Sequence, residues 1–170
     1  MSSLRYYVVD TNTIIDLWYG EILEKIFQLH CKFIIPDFIK HEMKNPPFQS
    51  LSTMGLLVET LDSGLIPEIT QIMERFEKPS YEDISALVLA RSRKTILITG
   101  DEDLRHAAME YGVDCLGTCW LIDYLADQSI ITYTEAIAAH DRIRKNRRNP
   151  PSNECRRLLS QWRQRQRLLE

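Results

Sequence analysis

Apolar residues recur along the chain in two rhythms, and the alternation of these rhythms predicts the fold. Short continuous runs rich in β-branched and aromatic residues read as buried strands: Tyr6-Tyr7-Val8-Val9, Lys32-Phe33-Ile34-Ile35 and Thr95-Ile96-Leu97-Ile98-Thr99. Gly55 to Glu59 and Val113 to Leu116 are shorter candidates. Between the strands, apolar positions return at helical spacing. After Asp10-Thr11-Asn12, a helix carries Ile14, Ile15, Leu17 and Trp18 to a stop at Gly20, and a second holds Ile22, Leu23, Ile26, Phe27 and His30. Proline is tolerated in a first helical turn, so residues 36–45 are predicted to be helical up to Asn45-Pro46-Pro47. Pro67 to Glu77 reads as a helix broken by Pro79. Ser80 to Lys94 has a polar cap, a stripe of Ile84, Leu87 and Val88, and small residues at Ala86 and Ala90. Gly100-Asp101 opens a helix that runs to Gly112, and two or more helices with a basic tail follow the last strand.

Strands that are apolar throughout, each separated from the next by a helix, imply an α/β fold with a mostly parallel sheet covered on both faces. In such sheets the crossovers are right-handed and ligands bind beyond the carboxyl ends of the strands. Function is therefore expected just after residues 9, 35, 59, 99 and 116.

Composition narrows this picture in three ways. A chain of 170 residues suits a single core, and 44% apolar with 26% charged residues is an ordinary globular balance. No apolar run approaches the ~20 residues of a membrane span, and Met1-Ser2-Ser3-Leu4-Arg5 leads into too short an apolar segment for a signal peptide. A cytoplasmic protein with no membrane partner is the expectation. In that compartment Cys31, Cys115, Cys119 and Cys155 are expected to be reduced thiols, and the Cys115, Cys119 and His106 spacing matches no common zinc finger.

Charge is distributed unevenly. Residues 1–140 hold 11 Lys and Arg against 21 Asp and Glu, a balance of −10, whereas residues 141–170 hold 10 against 3, a balance of +7. This suggests a domain at 1–140 and a basic helical extension at 141–170. The extension either meets an acidic partner or phosphate backbone, or folds over its own acidic body. Arg142, Arg144, Lys145, Arg147 and Arg148 are its candidate nucleic-acid contacts.

Four acids stand out by position. Asp10 follows the first strand and Asp101 the most apolar one. Each can cap the following helix, but both would also project from one sheet edge, where like charges repel unless a cation lies between them. Glu42 falls on or beside the apolar stripe of Phe38 and Ile39, where it either leans out to solvent or serves a site. Asp83 completes a capping-box pattern with Ser80, yet Ala86, Leu87 and Ala90 lie one turn on and place it inward. Glu102 and Asp103 suit the start of a helix dipole, and Asp103 is also a candidate for an indirect or fourth metal contact. Asp16, Asp37 and Asp62 show no comparable placement.

Taken in order, four segments resemble the PIN-domain family, the nuclease fold found in the toxin halves of many toxin–antitoxin pairs. They are Val8-Val9-Asp10-Thr11-Asn12, Pro36 with Glu42 six residues later, Ser80-Tyr81-Glu82-Asp83 running into Ala86-Leu87-Val88-Leu89-Ala90, and Leu97-Ile98-Thr99-Gly100-Asp101-Glu102-Asp103-Leu104-Arg105. The resemblance covers residues 5–120, and Leu116-Gly117-Thr118 with the helices beyond it is similar to a PIN subgroup described as predicted nucleic-acid-binding proteins. It implies a three-layer α/β/α sandwich with Asp10, Glu42, Asp83 and Asp101 as the carboxylates of a metal-dependent ribonuclease. It also implies Asn12, Ser80 and Thr99 as polar groups orienting the acids or a metal-bound water. Mg²⁺ or Mn²⁺ as cofactor, RNA as substrate, an antitoxin protein as partner and a homodimer belong to the same expectation. A non-catalytic nucleic-acid- or protein-binding module on the same fold is the alternative.

The chemistry is coherent without the family. Phosphodiester hydrolysis needs an activated water and stabilised phosphoryl charge, which hard cations on carboxylate oxygens supply. No G-x-S-x-G elbow, Walker loop or G-x-G-x-x-G run occurs. Asp10-Thr11-Asn12 is distantly similar to the first motif of haloacid-dehalogenase-type phosphatases, but that chemistry needs a second acid where Asn12 stands.

Overall fold

The computed structural model describes residues 4–41, 43–146, 148 and 152–169, apart from the side chains of His41 and Ser152. Glu42 and Arg147 lie outside the described residues. Five strands form one all-parallel sheet: β1 (Arg5–Val9), β2 (Cys31–Pro36), β3 (Leu57–Glu59), β4 (Ile96–Ile98) and β5 (Cys115–Leu116), in the order β3-β2-β1-β4-β5. The helices in chain order are α1 (Thr11–Tyr19), α2 (Phe48–Met54), α3 (Ile66–Arg75), α4 (Tyr81–Ser92), α5 (Glu102–Glu110), α6 (Thr118–Asp127), α7 (Tyr133–Lys145) and α8 (Ser152–Leu169).

Because successive strand residues point to opposite faces, each central strand feeds two cores. Tyr7, Val9, Phe33, Ile35 and Ile98 pack under α1, α2, α6, α7 and α8. Val8, Ile34 and Leu97 pack under α3, α4 and α5. The result is the expected three-layer α/β/α sandwich. In α4 every residue from Ile84 to Ala90 is buried, although the sequence pattern suggested a single stripe. It lies on the sheet with α3 and α5 beside it, so its outer flank is covered as well.

Two predicted helices are shorter than expected. The stretch from Ile22 to His30 is a 3₁₀ turn over Leu23–Gln28, after which Leu29 is already extended and feeds β2. The described residues of 36–45 form no α-helix: Pro36 ends β2, a 3₁₀ segment spans Asp37–His41, and a cis Asn45–Pro46 bond precedes the unanticipated α2. Pro46 and Pro47 remove two donors and disfavour helical geometry upstream, so an α-helix there has nothing to propagate into.

The cysteine expectation needs correcting for one pair. Cys119 of α6 and Cys155 of α8, 36 residues apart in sequence, form a disulfide with a Cα separation of 5.3 Å. Two helices packing side by side bring them together, which sequence spacing does not reveal. Cys31 and Cys115 remain free thiols, and burial pushes both up to about 11.

No break in packing falls at residue 140. α7 runs across it, and α8 inserts Cys155, Leu158 and the fully buried Trp162 into the core against α6 and α7. Trp162 Nε1 donates to Asp123 at 2.7 Å, and Arg165 donates to Asp127 at 2.8 Å. Much of the basic extension thus lies over its own acidic body. No described helix is long and apolar enough to cross a membrane.

Candidate active site

The register of β1 and β4 sets the centre of the acidic edge. Val9 pairs with Ile98, so the next residues, Asp10 and Thr99, leave the sheet side by side, and the Asp10 N–H still donates to Ile98 O at 3.0 Å. Asp10 is the N-cap of α1, its Oδ1 accepting from Thr13 N at 2.7 Å. Its Oδ2 accepts from the Thr99 hydroxyl. That hydroxyl oxygen in turn accepts from Asp101 N at 3.1 Å, so Thr99 ties the two acids of neighbouring strand ends together.

Asp101 caps α5 through Oδ1, which accepts from Leu104 N at 2.8 Å. Asp83 and Ser80 form a full capping box at the start of α4: Ser80 N donates to Asp83 Oδ2 at 2.9 Å, and Asp83 N donates to Ser80 Oγ at 3.1 Å. The capping explanation is therefore correct for all three acids, and it does not compete with a site. Each cap uses one carboxylate oxygen, and neither Asp83 Oδ1 nor Asp101 Oδ2 takes part in one.

Electrostatics shows that the acids sense one another. Asp10 is 1% exposed, and burial is the main reason its pKa is pushed up to about 6; the Thr99 and Thr13 hydrogen bonds oppose this, and the charge of Asp83 adds to it. Asp83 is also raised, first by burial, with the Ser80 hydrogen bonds opposing and the charges of Asp101 and Glu82 adding. Yet Asp10, Asp83 and Asp101 do not stand within 4.8 Å of one another as a trio, since among the described residues the one such set is Cys119, His140 and Cys155.

This arrangement fits a hydrated hard cation. Mg²⁺ binds through one or two carboxylates and keeps several waters, so it needs oxygen donors around a space rather than a tight cage. A cation there would also offset the repulsion that adds to the burial-driven rise of Asp10 and Asp83.

The other predicted residues fall as follows. Asn12 accepts from Arg148 through both its backbone carbonyl and its side-chain oxygen, at 3.2 and 3.1 Å. Asp103 pairs with the exposed Lys78 at 3.1 Å. Arg142 donates to Gly20 O and stands 3.6 Å from Glu21. Arg144 and Lys145 are exposed on the last turn of α7. Glu42 and Arg147 cannot be placed among the described residues, although Phe38, in the segment leading to Glu42, packs edge-on against Tyr81 at the start of α4.

Sequence reasoning passed over a second network on this edge. Asp16, set aside there, is buried and accepts from Arg148 Nε at 2.6 Å and from the Thr118 hydroxyl at 3.1 Å. Burial raises its pKa, and both partners work against that rise. The available signal was an acid between Ile15 and Leu17 inside an apolar helix. Arg105 was missed as well. Its Nε donates to Thr99 O at 2.9 Å, and its NH2 meets Glu154 at 3.3 Å, linking the acidic edge to α8. A cleft of about 640 Å³ near Trp18, Met54 and Arg142 includes none of the site acids in its lining.

Comparison with known proteins decides the family. The DUF3368 family model, described as a PIN domain, matches residues 6–164. The chain belongs to the PIN-domain family. Among solved structures it is similar to a PilT N-terminus domain protein, SSO1118, from the hyperthermophilic archaeon Sulfolobus solfataricus P2. The two share 19% identity with a TM-score of 0.44, over 71% of this chain and 92% of the other. No curated protein matches the chain. PIN domains are generally nucleases and typically depend on divalent metal ions, and the match runs through α6, α7 and most of α8 as well as the motif-bearing half.

Proposed function

We propose that this PIN domain is a ribonuclease that hydrolyses RNA phosphodiester bonds, with Asp10, Asp83, Asp101 and Glu42 holding Mg²⁺ or Mn²⁺. The observation that carries this reading is the junction at Thr99: one hydroxyl joins a buried carboxylate on β1 to the acid that follows β4, with a third carboxylate close enough to raise the first. A bound ion there supplies an activated water and offsets charge on the phosphoryl oxygens. The chain's own groups do the positioning. Thr99 and Thr13 hold the ionised form of Asp10 by donating to both its oxygens. The Ser80 box and the α5 cap fix the orientations of Asp83 and Asp101. Arg148 fixes Asn12 beside them.

Purified protein incubated with single-stranded and structured RNA in Mn²⁺ tests the reading. Asp10→Asn should lower the cleavage rate by about 10³-fold, since losing a carboxylate that holds the ion forfeits charge stabilisation worth several kcal/mol. Equal cleavage by both proteins, or none with any metal, overturns it, and RNA bound but uncut would assign the non-catalytic alternative. Arg144 and Lys145 are the proposed phosphate contacts, and each removed charge should shallow the salt dependence of RNA binding by about one unit of slope. The toxin role, with an antitoxin partner and a homodimer, is the outermost part of the proposal. Expressing the chain alone should slow growth, Asp10→Asn should not, and unaffected growth with the unaltered chain counts against that role.

A further inference from the structure

Away from the acidic edge, three helices bring soft donor atoms to one point. Cys119 comes from α6, His140 from α7 and Cys155 from α8, all buried, and their ligand atoms lie within 4.8 Å of one another. The sulfurs are paired as a disulfide, which accounts for the two cysteines but not for the histidine. His140 is 3% exposed, and among the described residues its Nδ1 has no hydrogen-bond partner; a carboxylate oxygen of Asp141 is 3.9 Å away. One side of the ring meets Trp162 edge-on, with centroids 6.4 Å apart. A buried polar nitrogen left without a partner is costly, so a histidine beside two sulfurs calls for a partner that a disulfide does not supply.

We infer that the reduced form of this cluster is a binding site for a thiophilic divalent ion, zinc above all, held by Cys119 Sγ, Cys155 Sγ and a ring nitrogen of His140. Two thiolates and an imidazole are a donor set that zinc prefers and Mg²⁺ or Mn²⁺ does not, which separates this site chemically from the acidic edge. Three protein ligands leave a fourth position for water or an external ligand. Each thiol gives up its proton on binding, so two protons are released per ion. The disulfide and the ion exclude each other, because the bond between the sulfurs removes the thiolates. In either state the cluster fastens the start of α8 to α6, next to Glu154 and its ion pair with Arg105. The inference stands independently of the nuclease reading.

The test uses the full chain, reduced with a phosphine and then freed of it without air. Cobalt(II) should bind with a sulfur-to-cobalt charge-transfer absorption at about one ion per chain, and zinc should displace it. Zinc should also raise the melting temperature of the reduced protein and leave the disulfide form unchanged. His140→Gln should weaken binding by more than the roughly 10–100-fold that loss of a group behind a ligand costs. Asp10→Asn should bind as the unaltered chain does, which separates this site from the acidic edge. Absence of the sulfur-to-cobalt band in the unaltered reduced protein overturns the inference, whether or not the variant folds. So does equal affinity in a His140→Gln protein shown by circular dichroism to be folded.

Discussion

The acidic edge, with Asp10 buried and Asp83 and Asp101 half-buried, and the fully buried Cys119–His140–Cys155 cluster both gather groups able to bind a metal ion, yet they are built in opposite ways. At the edge, each acid is placed by its own neighbourhood: Asp10 and Asp101 cap the helices that follow their strands, and Asp83 closes a box with Ser80. Only the later steps, pairing of β1 with β4 and packing of α4 on the sheet, bring them together. In the cluster no residue has a local reason to be where it is. Three helices must pack before Cys119, His140 and Cys155 meet. Local placement leaves a motif in the sequence, and packing does not. The difference also sets what each region does for stability, since the edge carries like charges that oppose folding while the cluster carries a cross-link that favours it.

The largest effect that would sharpen this contrast is on the cross-link. Closing a loop with a sequence separation of 36 should contribute about 4 kcal/mol by the chain-entropy relation. Metal-free reduced protein should unfold at correspondingly lower urea than the oxidised form. Coincident unfolding curves would mean that α8 is held by packing at Trp162 alone.

Next comes the opposite sign at the edge. The pKa of Asp10 rises on folding from the ordinary 3.8 to about 6, so the folded state holds its proton more tightly than the unfolded one. Its stability contribution is therefore present below pH 4 and lost as pH rises through 6, a difference of about 3 kcal/mol. In metal-free protein Asp10→Asn should be more stable than the unaltered chain at pH 7, with the gain vanishing near pH 4. Denaturant titrations at the two pH values check this, and a pH-independent difference would show that burial is not what raises Asp10.

Arg148→Ala tests the tie between the extension and the edge. It leaves the buried Asp16 without its guanidinium, and with Arg148 about a quarter exposed the cost should be about 2–3 kcal/mol, read as a lower melting temperature. Asp16→Asn in the same background should recover much of it. An unchanged melting temperature for Arg148→Ala would place this arginine among the dispensable surface charges.

The smallest effect is at Gly117. A Cβ there would lie 2.5 Å from Glu154 Oε2 and 2.8 Å from Arg105 NH2. Both are tips of flexible side chains, so Gly117→Ala should cost under about 1 kcal/mol while parting Arg105 from Glu154. A cost of several kcal/mol would show that this contact is held rigidly.

What could be read from the chain follows the same division. The strands, the caps and three of the acids announced themselves because each depends on residues within about four positions: a β-branched run, an Asp at a helix start, a Ser three residues before an Asp. The helix expected over 36–45 failed because two prolines downstream outweighed the apolar spacing. Asp16 was set aside because its partners, Thr118 and Arg148, lie 102 and 132 residues further along the chain.

By itself, the sequence determined the alternation of strand and helix, the parallel sheet it forces, and the acids that end its strands, since these follow from local sterics and hydrogen bonding. Tertiary structure alone decided that Thr99 would bridge Asp10 and Asp101, that Arg148 would neutralise Asp16, and that two cysteines and a histidine would share one buried point. Those outcomes depend on register and helix packing, which bring together residues that the chain keeps far apart.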